Sequence, residues 1–173
     1  AGLLLPVSSR PQSSVLRRHP FHKCFSVLVR FSGNFELYGD ISKRIVMLLT
    51  SVTPRIEVYS VDESFLDLSQ LKIEDYGAWG RAVRQKIMDW VGVPVSIGIA
   101  PTKTLAKLAS ERGKNDPKLE GVCICLNETT RQQALKNTPL EDVWGVGWRG
   151  APKWRAEGIS NAYQLARIAP RRA

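Results

Sequence analysis

Ser60-Val61-Asp62-Glu63-Ser64-Phe65-Leu66-Asp67 places two carboxylates side by side between two runs rich in Ile, Val, Tyr, Phe and Leu. Neighbours on a regular strand point to opposite faces, so Asp62 and Glu63 converge only if the chain bends there. At a hairpin apex the alternation breaks, and two carboxylates held close need a cation to offset their repulsion. A solvated acidic turn has the same composition. The pair is a candidate metal site, not a proof of one.

Two further stretches carry chemistry. Ser96-Ile97-Gly98-Ile99-Ala100-Pro101-Thr102-Lys103-Thr104 runs an apolar strand into a helix start, with Thr102 as the expected N-cap. Lys103 then falls in the first turn, where a cation opposes the helix dipole. Free backbone N–H groups beside an ammonium make a site for a phosphate tail. Val143-Trp144-Gly145-Val146-Gly147-Trp148-Arg149 precedes Lys153, Arg155 and Gly158. A Gly-apolar-Gly turn between short helices lets backbone N–H groups approach a DNA phosphate without reading bases, although Gly-x-Gly also ends ordinary helices.

The elements that must hold these groups follow from periodicity. Phe25, Val27, Val29 and Phe31 alternate as on a strand. Asn34 to Val52 carries apolar residues at three- and four-residue steps and stops before Pro54, an amphipathic helix. Residues 55–60 and 64–69 read as two strands joined by a tight hairpin. A helix marked by Tyr76, Trp79, Val83, Ile87 and Trp90 follows, then a strand over 94–99 and a helix over 102–112. This order is most of a ferredoxin-like α+β sandwich short of its opening strand, and the open edge predicts strand-swapped association. Beyond the Gly113-to-Pro117 loop, a short strand at 122–126 leads into a helical remainder. Pro152 in Gly150-Ala151-Pro152 is an unusual opening for its last basic helix, because Pro lacks a donor.

Charge and cysteine content bound the partners. Lys plus Arg total 25 against 16 Asp plus Glu, a formal +9 in 173 residues. Such an excess favours a polyanionic partner, nucleic acid (DNA or RNA) before anionic lipid, with simple solubility as the rival reading. Cys24, Cys123 and Cys125 make neither a disulfide framework nor a zinc pattern and read as packed, reduced thiols of a cytoplasmic protein. No apolar run approaches membrane-spanning length. Ala1 to Lys23 mixes Pro, Ser, Arg and His without periodicity and is expected to be disordered.

Together the three motifs, in this order, resemble those of Y-family (translesion) DNA polymerases, and Phe31-Ser32-Gly33-Asn34-Phe35-Glu36-Leu37-Tyr38-Gly39-Asp40 resembles more narrowly the UmuC branch, the catalytic subunits of bacterial DNA polymerase V. The resemblance covers Phe31 to about Ile168. It implies a partial palm over 24–115 and a partial helical thumb with a helix-hairpin-helix-like turn over 116–173, with 1–23 unassigned. It implies template-directed nucleotidyl transfer in DNA repair and the SOS response, with primer-template DNA and dNTP as substrates. By the same resemblance Asp62 and Glu63 are the catalytic carboxylates that hold two Mg²⁺ ions. Lys103 contacts the incoming triphosphate, Gly145 and Gly147 track the DNA backbone, and Asp67 is a structural hydrogen-bonding residue. Sliding clamp, RecA filament and a UmuD-type accessory subunit are the partners implied.

Departures from the pattern set further expectations. The family's first metal-binding Asp, its aromatic steric gate and its fingers Tyr and Arg find no match in Ala1–Arg30, and no little-finger domain follows. The chain is therefore expected to be a fragment, inactive alone. The rival expectations are a non-catalytic DNA-binding module, a nucleotide cyclase of the same architecture, which the thumb motif opposes, and a truncated product without function.

Overall fold

The computed structural model describes Val7–Ser8 and residues 32–168. The expected strand over Phe25–Phe31 and the thiol of Cys24 lie outside the described residues, as does most of the stretch Ala1–Lys23. The described elements run β1 (Val7–Ser8), α1 (Phe35–Val52), β2 (Ile56–Val58), β3 (Glu63–Leu66), α2 (Tyr76–Val91), β4 (Ser96–Ile99) and α3 (Lys103–Asn115). They continue with β5 (Val122–Ile124), α4 (Glu128–Asn137), α5 (Gly147–Ala156) and α6 (Ala162–Leu165).

Local chemistry sets most boundaries. Asn34 caps α1 by accepting from the Leu37 N–H, and Thr53 turns extended, as a residue before proline must. Asp75 caps α2 through the Gly77 and Ala78 N–H groups, and Gly92 closes it at φ 75°. Thr102 caps α3 by accepting from Leu105, as its position predicts. α5 opens at Gly147, earlier than the Gly150-Ala151-Pro152 reading expects, so Pro152 sits inside the helix.

The sheet order is β2-β3-β1-β4-β5. β2 and β3 form the expected antiparallel hairpin, with Glu57 opposite Phe65. β4 and β5 run parallel. One expectation is corrected: the slot between β3 and β4 is not open, because Val7 and Ser8 pair antiparallel with Ser64 and Glu63 on one side and Ile97 and Ser96 on the other. Backbone donors and acceptors facing each other across one strand's width require a strand between them, whatever its sequence.

Strand alternation divides the core. On the α1/α2 face, Leu66, Ile97, Ile99 and Val122 pack with Ile45, Leu48, Leu49, Val83 and Ile87. On the α3 face stand Ala106, Ala109, Cys123, Cys125 and Ala134. α3 lies almost against the β4 backbone: a Cβ built on Gly98 would meet the Ala106 carbonyl oxygen at 2.0 Å. The buried Ser96 and Ser110 hydroxyls close this contact at 3.0 Å. Cys123 and Cys125 are buried free thiols, and their mutual hydrogen bond together with burial pushes Cys123 up. No described helix is long and apolar enough to cross a membrane.

Candidate active site

Glu57, Glu63 and Phe65 share the α3 face of the hairpin, because they fall at alternate or directly opposed positions of β2 and β3. Glu63 is the first residue of β3, and its carbonyl accepts from both the Tyr59 and Ser60 N–H groups, which tightens the bend. Asp62 sits within that bend and its carboxylate accepts from the Ser60 hydroxyl at 2.6 Å. The acidic dipeptide thus straddles the junction of turn and strand. An unbroken strand would have thrown the two side chains to opposite faces.

The two acids have different surroundings. Asp62 and Glu63 both border a narrow crevice against Ser42, Ile45 and Val46 of α1. Glu63 alone also borders a cleft of about 380 Å³ whose other walls include Lys107, Ser110, Glu111, Trp144, Gly145 and Gly147. Its side chain, 12% exposed, takes the Lys107 ammonium at 2.8 Å. A carboxylate so far out of water is stable only with a cation or several donors beside it. Lys107 fills that role.

Lys103, the expected phosphate contact, is engaged elsewhere. Its ammonium pairs with Glu57 of β2 and lies 5.3 Å over the Phe65 ring. The pairing explains a cation at the head of α3, since Glu57 offsets the unfavourable dipole. Lys107 was missed from sequence, although it follows Lys103 by four residues and therefore shares its helix face. Asp67 has the structural part expected: it accepts from the Ser69 N–H at 2.8 Å and pairs with Arg55 at 3.2 Å. Those contacts, Ser69 foremost, hold its carboxyl below the ordinary range.

Gly145 and Gly147 form the far wall of the cleft. Both have positive φ, 90° and 60°, a region that a side chain rarely adopts without strain. Val146 caps α5 without any side-chain acceptor; the Gly147 N–H donates to the Val143 carbonyl, and the Trp148 and Arg149 N–H groups remain available to an outside anion. Arg155 ties α5 back to Glu141, whose carboxyl is held low by its own backbone N–H and by Arg155.

An aromatic cluster joins the two walls, and nothing in the motifs announced it. Trp144 stacks on Phe65 with centroids 5.9 Å apart. It meets Tyr59 edge to face at 5.2 Å and donates its Nε1–H to the Tyr59 hydroxyl at 3.2 Å.

As a cation site, the donor set is partial. Asp62 and Glu63 supply hard carboxylate oxygens, which suit Mg²⁺ bound through one or two carboxylates plus substrate phosphates. Glu63 already holds one cation, the Lys107 ammonium at 2.8 Å. The pair fits. A three-ligand cluster does not occur among the described residues, and the first acidic residue of the chain is Glu36, so β1 brings no carboxylate to the slot beside Glu63.

Comparison with known proteins bears on this geometry. The model of the impB/mucB/samB family, IMS, matches residues 13–111, more than half of the chain. Protein UmuC of Salmonella typhimurium is 41% identical over 143 residues, 82% of this chain and 34% of that protein. DNA polymerase IV 1 of Halalkalibacterium halodurans is 30% identical over 144 residues, 83% of this chain and 34% of that protein. Among solved structures, DinB from Sulfolobus solfataricus superposes with a TM-score of 0.64 at 26% identity, covering 78% of this chain and 39% of that one. The Dbh DNA polymerase in its insertion ternary complex gives 0.62 at 28%, covering 73% and 36%. The chain spans about a third of the length of the curated relatives it matches.

Proposed function

This chain belongs to the impB/mucB/samB family, within the Y-family translesion DNA polymerases, and from that premise we propose that it supplies the palm carboxylates and the thumb turn of an error-prone, SOS-type polymerase, and that alone it binds DNA without extending a primer. In this reading the partial palm is 24–115 and the partial thumb 116–173. One observation carries the reading: Glu63 of the hairpin and the Gly145–Gly147 turn face each other across a single cleft.

In this proposal primer-template DNA lies along the cleft with a dNTP at its hairpin end. Gly145 and Gly147 bring the free N–H groups of α5 against a DNA phosphate, and Arg149 and Lys153 add charge without reading sequence. Asp62 and Glu63 would hold magnesium, which would supply charge neutralisation at the α-phosphate and a more acidic primer hydroxyl. Lys107 must leave Glu63 for that to happen. Lys103 reaches the triphosphate only by releasing Glu57. With two carboxylates where the reaction uses a fuller set, the ions are under-held, which is the reason for expecting no synthesis.

The test is primer extension with Mg²⁺ or Mn²⁺, with DNA binding read by fluorescence anisotropy. Binding without extension is expected. Gly147→Asp is expected to weaken binding, and Asp62→Ala to abolish Mn²⁺ binding. Template-dependent synthesis that Asp62→Ala removes would refute the claim of inactivity. Mn²⁺ binding indifferent to Asp62→Ala, with DNA binding still sensitive to Gly147→Asp, would leave a DNA-binding module without a metal site.

A further inference from the structure

Lys107 stands where three groups compete for one ammonium. Glu63 Oε2 lies 2.8 Å from Nζ, the Trp144 ring centroid 4.8 Å and the Tyr59 ring centroid 5.0 Å. A lysine side chain has much rotamer freedom to lose, so one that is only 20% exposed must be held by its surroundings. The ring faces do this, because the negative face of an aromatic attracts a cation most strongly when water is kept away.

The rings come from both units. Tyr59 and Phe65 belong to the β2–β3 hairpin, whereas Trp144 immediately precedes Gly145 of the thumb turn. Trp144 is fastened by its stack on Phe65, its edge contact with Tyr59 and its hydrogen bond to the Tyr59 hydroxyl. A single indole therefore bridges hairpin and turn and forms one wall of the slot that holds Lys107.

We propose that Trp144 is a positioning residue: it seats Lys107 against Glu63 as a resident counter-ion, which a divalent cation must displace, so that cation binding at Glu63 and seating of the thumb turn are linked. The linkage rests on the metal-binding reading of Glu63, while the seating does not. An ammonium held 2.8 Å from Glu63 Oε2 repels a divalent cation arriving at the same carboxylate, so the two compete for it. Coupling between two binding events is reciprocal, so loosening Trp144 frees Glu63 for the cation, and a cation at Glu63 loosens Trp144. If the rings were mere packing, removing one would lower stability and leave cation affinity alone.

The experiment measures Mn²⁺ affinity of the whole chain by electron paramagnetic resonance. Lys107→Met is expected to tighten binding by about fivefold, the factor that matches a partly exposed cation–π contact. Trp144→Leu is expected to tighten it by a similar factor, and Trp144→Phe, which keeps a ring over Lys107, to stay within about twofold of wild type. In the Lys107→Met background Trp144→Leu should do nothing further, because coupled residues are not additive. Unchanged Mn²⁺ affinity in Trp144→Leu, or an equal change with and without Lys107, would overturn the proposal. Should Trp144→Leu fail to fold by circular dichroism, Tyr59→Leu removes the other ring and serves in the same cycle.

A metal-free arm separates the two readings. Urea midpoints for Trp144→Leu, Glu63→Gln and the double variant are expected to be less than additive. If wild type binds no Mn²⁺, the metal reading of Asp62 and Glu63 fails, and additive midpoints would then sink the seating of Lys107 as well.

Discussion

Leu49, Leu66, Ile87, Ile97 and Ile99 fill one face of the sheet, whereas Gly98, Ala106, Ala109, Ser110 and Cys123 stand on the other. Large branched side chains keep α1 and α2 at a full side chain's distance and bury much apolar area, which is where folding free energy comes from. Small ones let α3 approach the β4 backbone until there is no room for a methyl group at position 98. That approach stabilises less, but it brings the ammonium groups of Lys103 and Lys107 to Glu57 and Glu63. One face holds the molecule together and the other aims its charges.

Substitutions can separate these two roles. Gly98→Ala is expected to have the largest effect, about 3 kcal/mol or more in urea unfolding, because the new methyl overlaps backbone rather than a yielding side chain. It should also break the Lys107–Glu63 contact, visible as a changed Lys107 signal by NMR. Leu49→Ala on the opposite face is expected to cost about 3 kcal/mol through the cavity it leaves, yet to leave that contact intact. If Leu49→Ala disturbed Lys107 as much as Gly98→Ala does, the division of labour would be wrong.

Smaller effects sharpen the point. Thr102→Ala removes the cap of α3 and is expected to cost about 1 kcal/mol, with fraying at the end that carries Lys103. Asp75 caps α2 on the stabilising face, and the Ala78 and Gly77 N–H groups hold its carboxyl below the ordinary value of 3.8. A folded pKa below the unfolded one means stabilisation present above 3.8 and lost as acid protonates the folded group. The melting temperature of Asp75→Ala should therefore fall below wild type near neutrality, and the two should converge as the pH drops below that value. A gap independent of pH would mean that the cap acts without its charge.

Much of this was legible in the chain. Asn34 with Pro54 bounded α1 and Thr102 opened α3, since capping and termination use groups a few residues apart, while the Asp75 and Gly92 ends of α2 emerged only with the structure. The apolar run at 94–99 marked β4, whose four residues are all buried. The β1 pairing was not legible, because a two-residue strand has no period and Val7–Ser8 lies among Pro, Ser and Arg. Lys103 was singled out because it stands at a helix start, while Lys107 reads as one more exposed-face lysine. Which acid each takes depends on how α3 rests on β4.

By itself the amino-acid order determined most helix and strand segments, the Thr102 cap, the hairpin carrying Asp62 and Glu63, and the two glycines of the 145–147 turn. Each of these arises from hydrogen bonds and φ preferences within a few residues. Only the tertiary structure decided that Lys107 neutralises Glu63, that Trp144 bridges to Tyr59 across 85 positions of sequence, and that the hairpin and the turn share one cleft. Contacts of that kind depend on how closely packed elements approach one another, and a spacing of residues along a chain does not encode a distance through space.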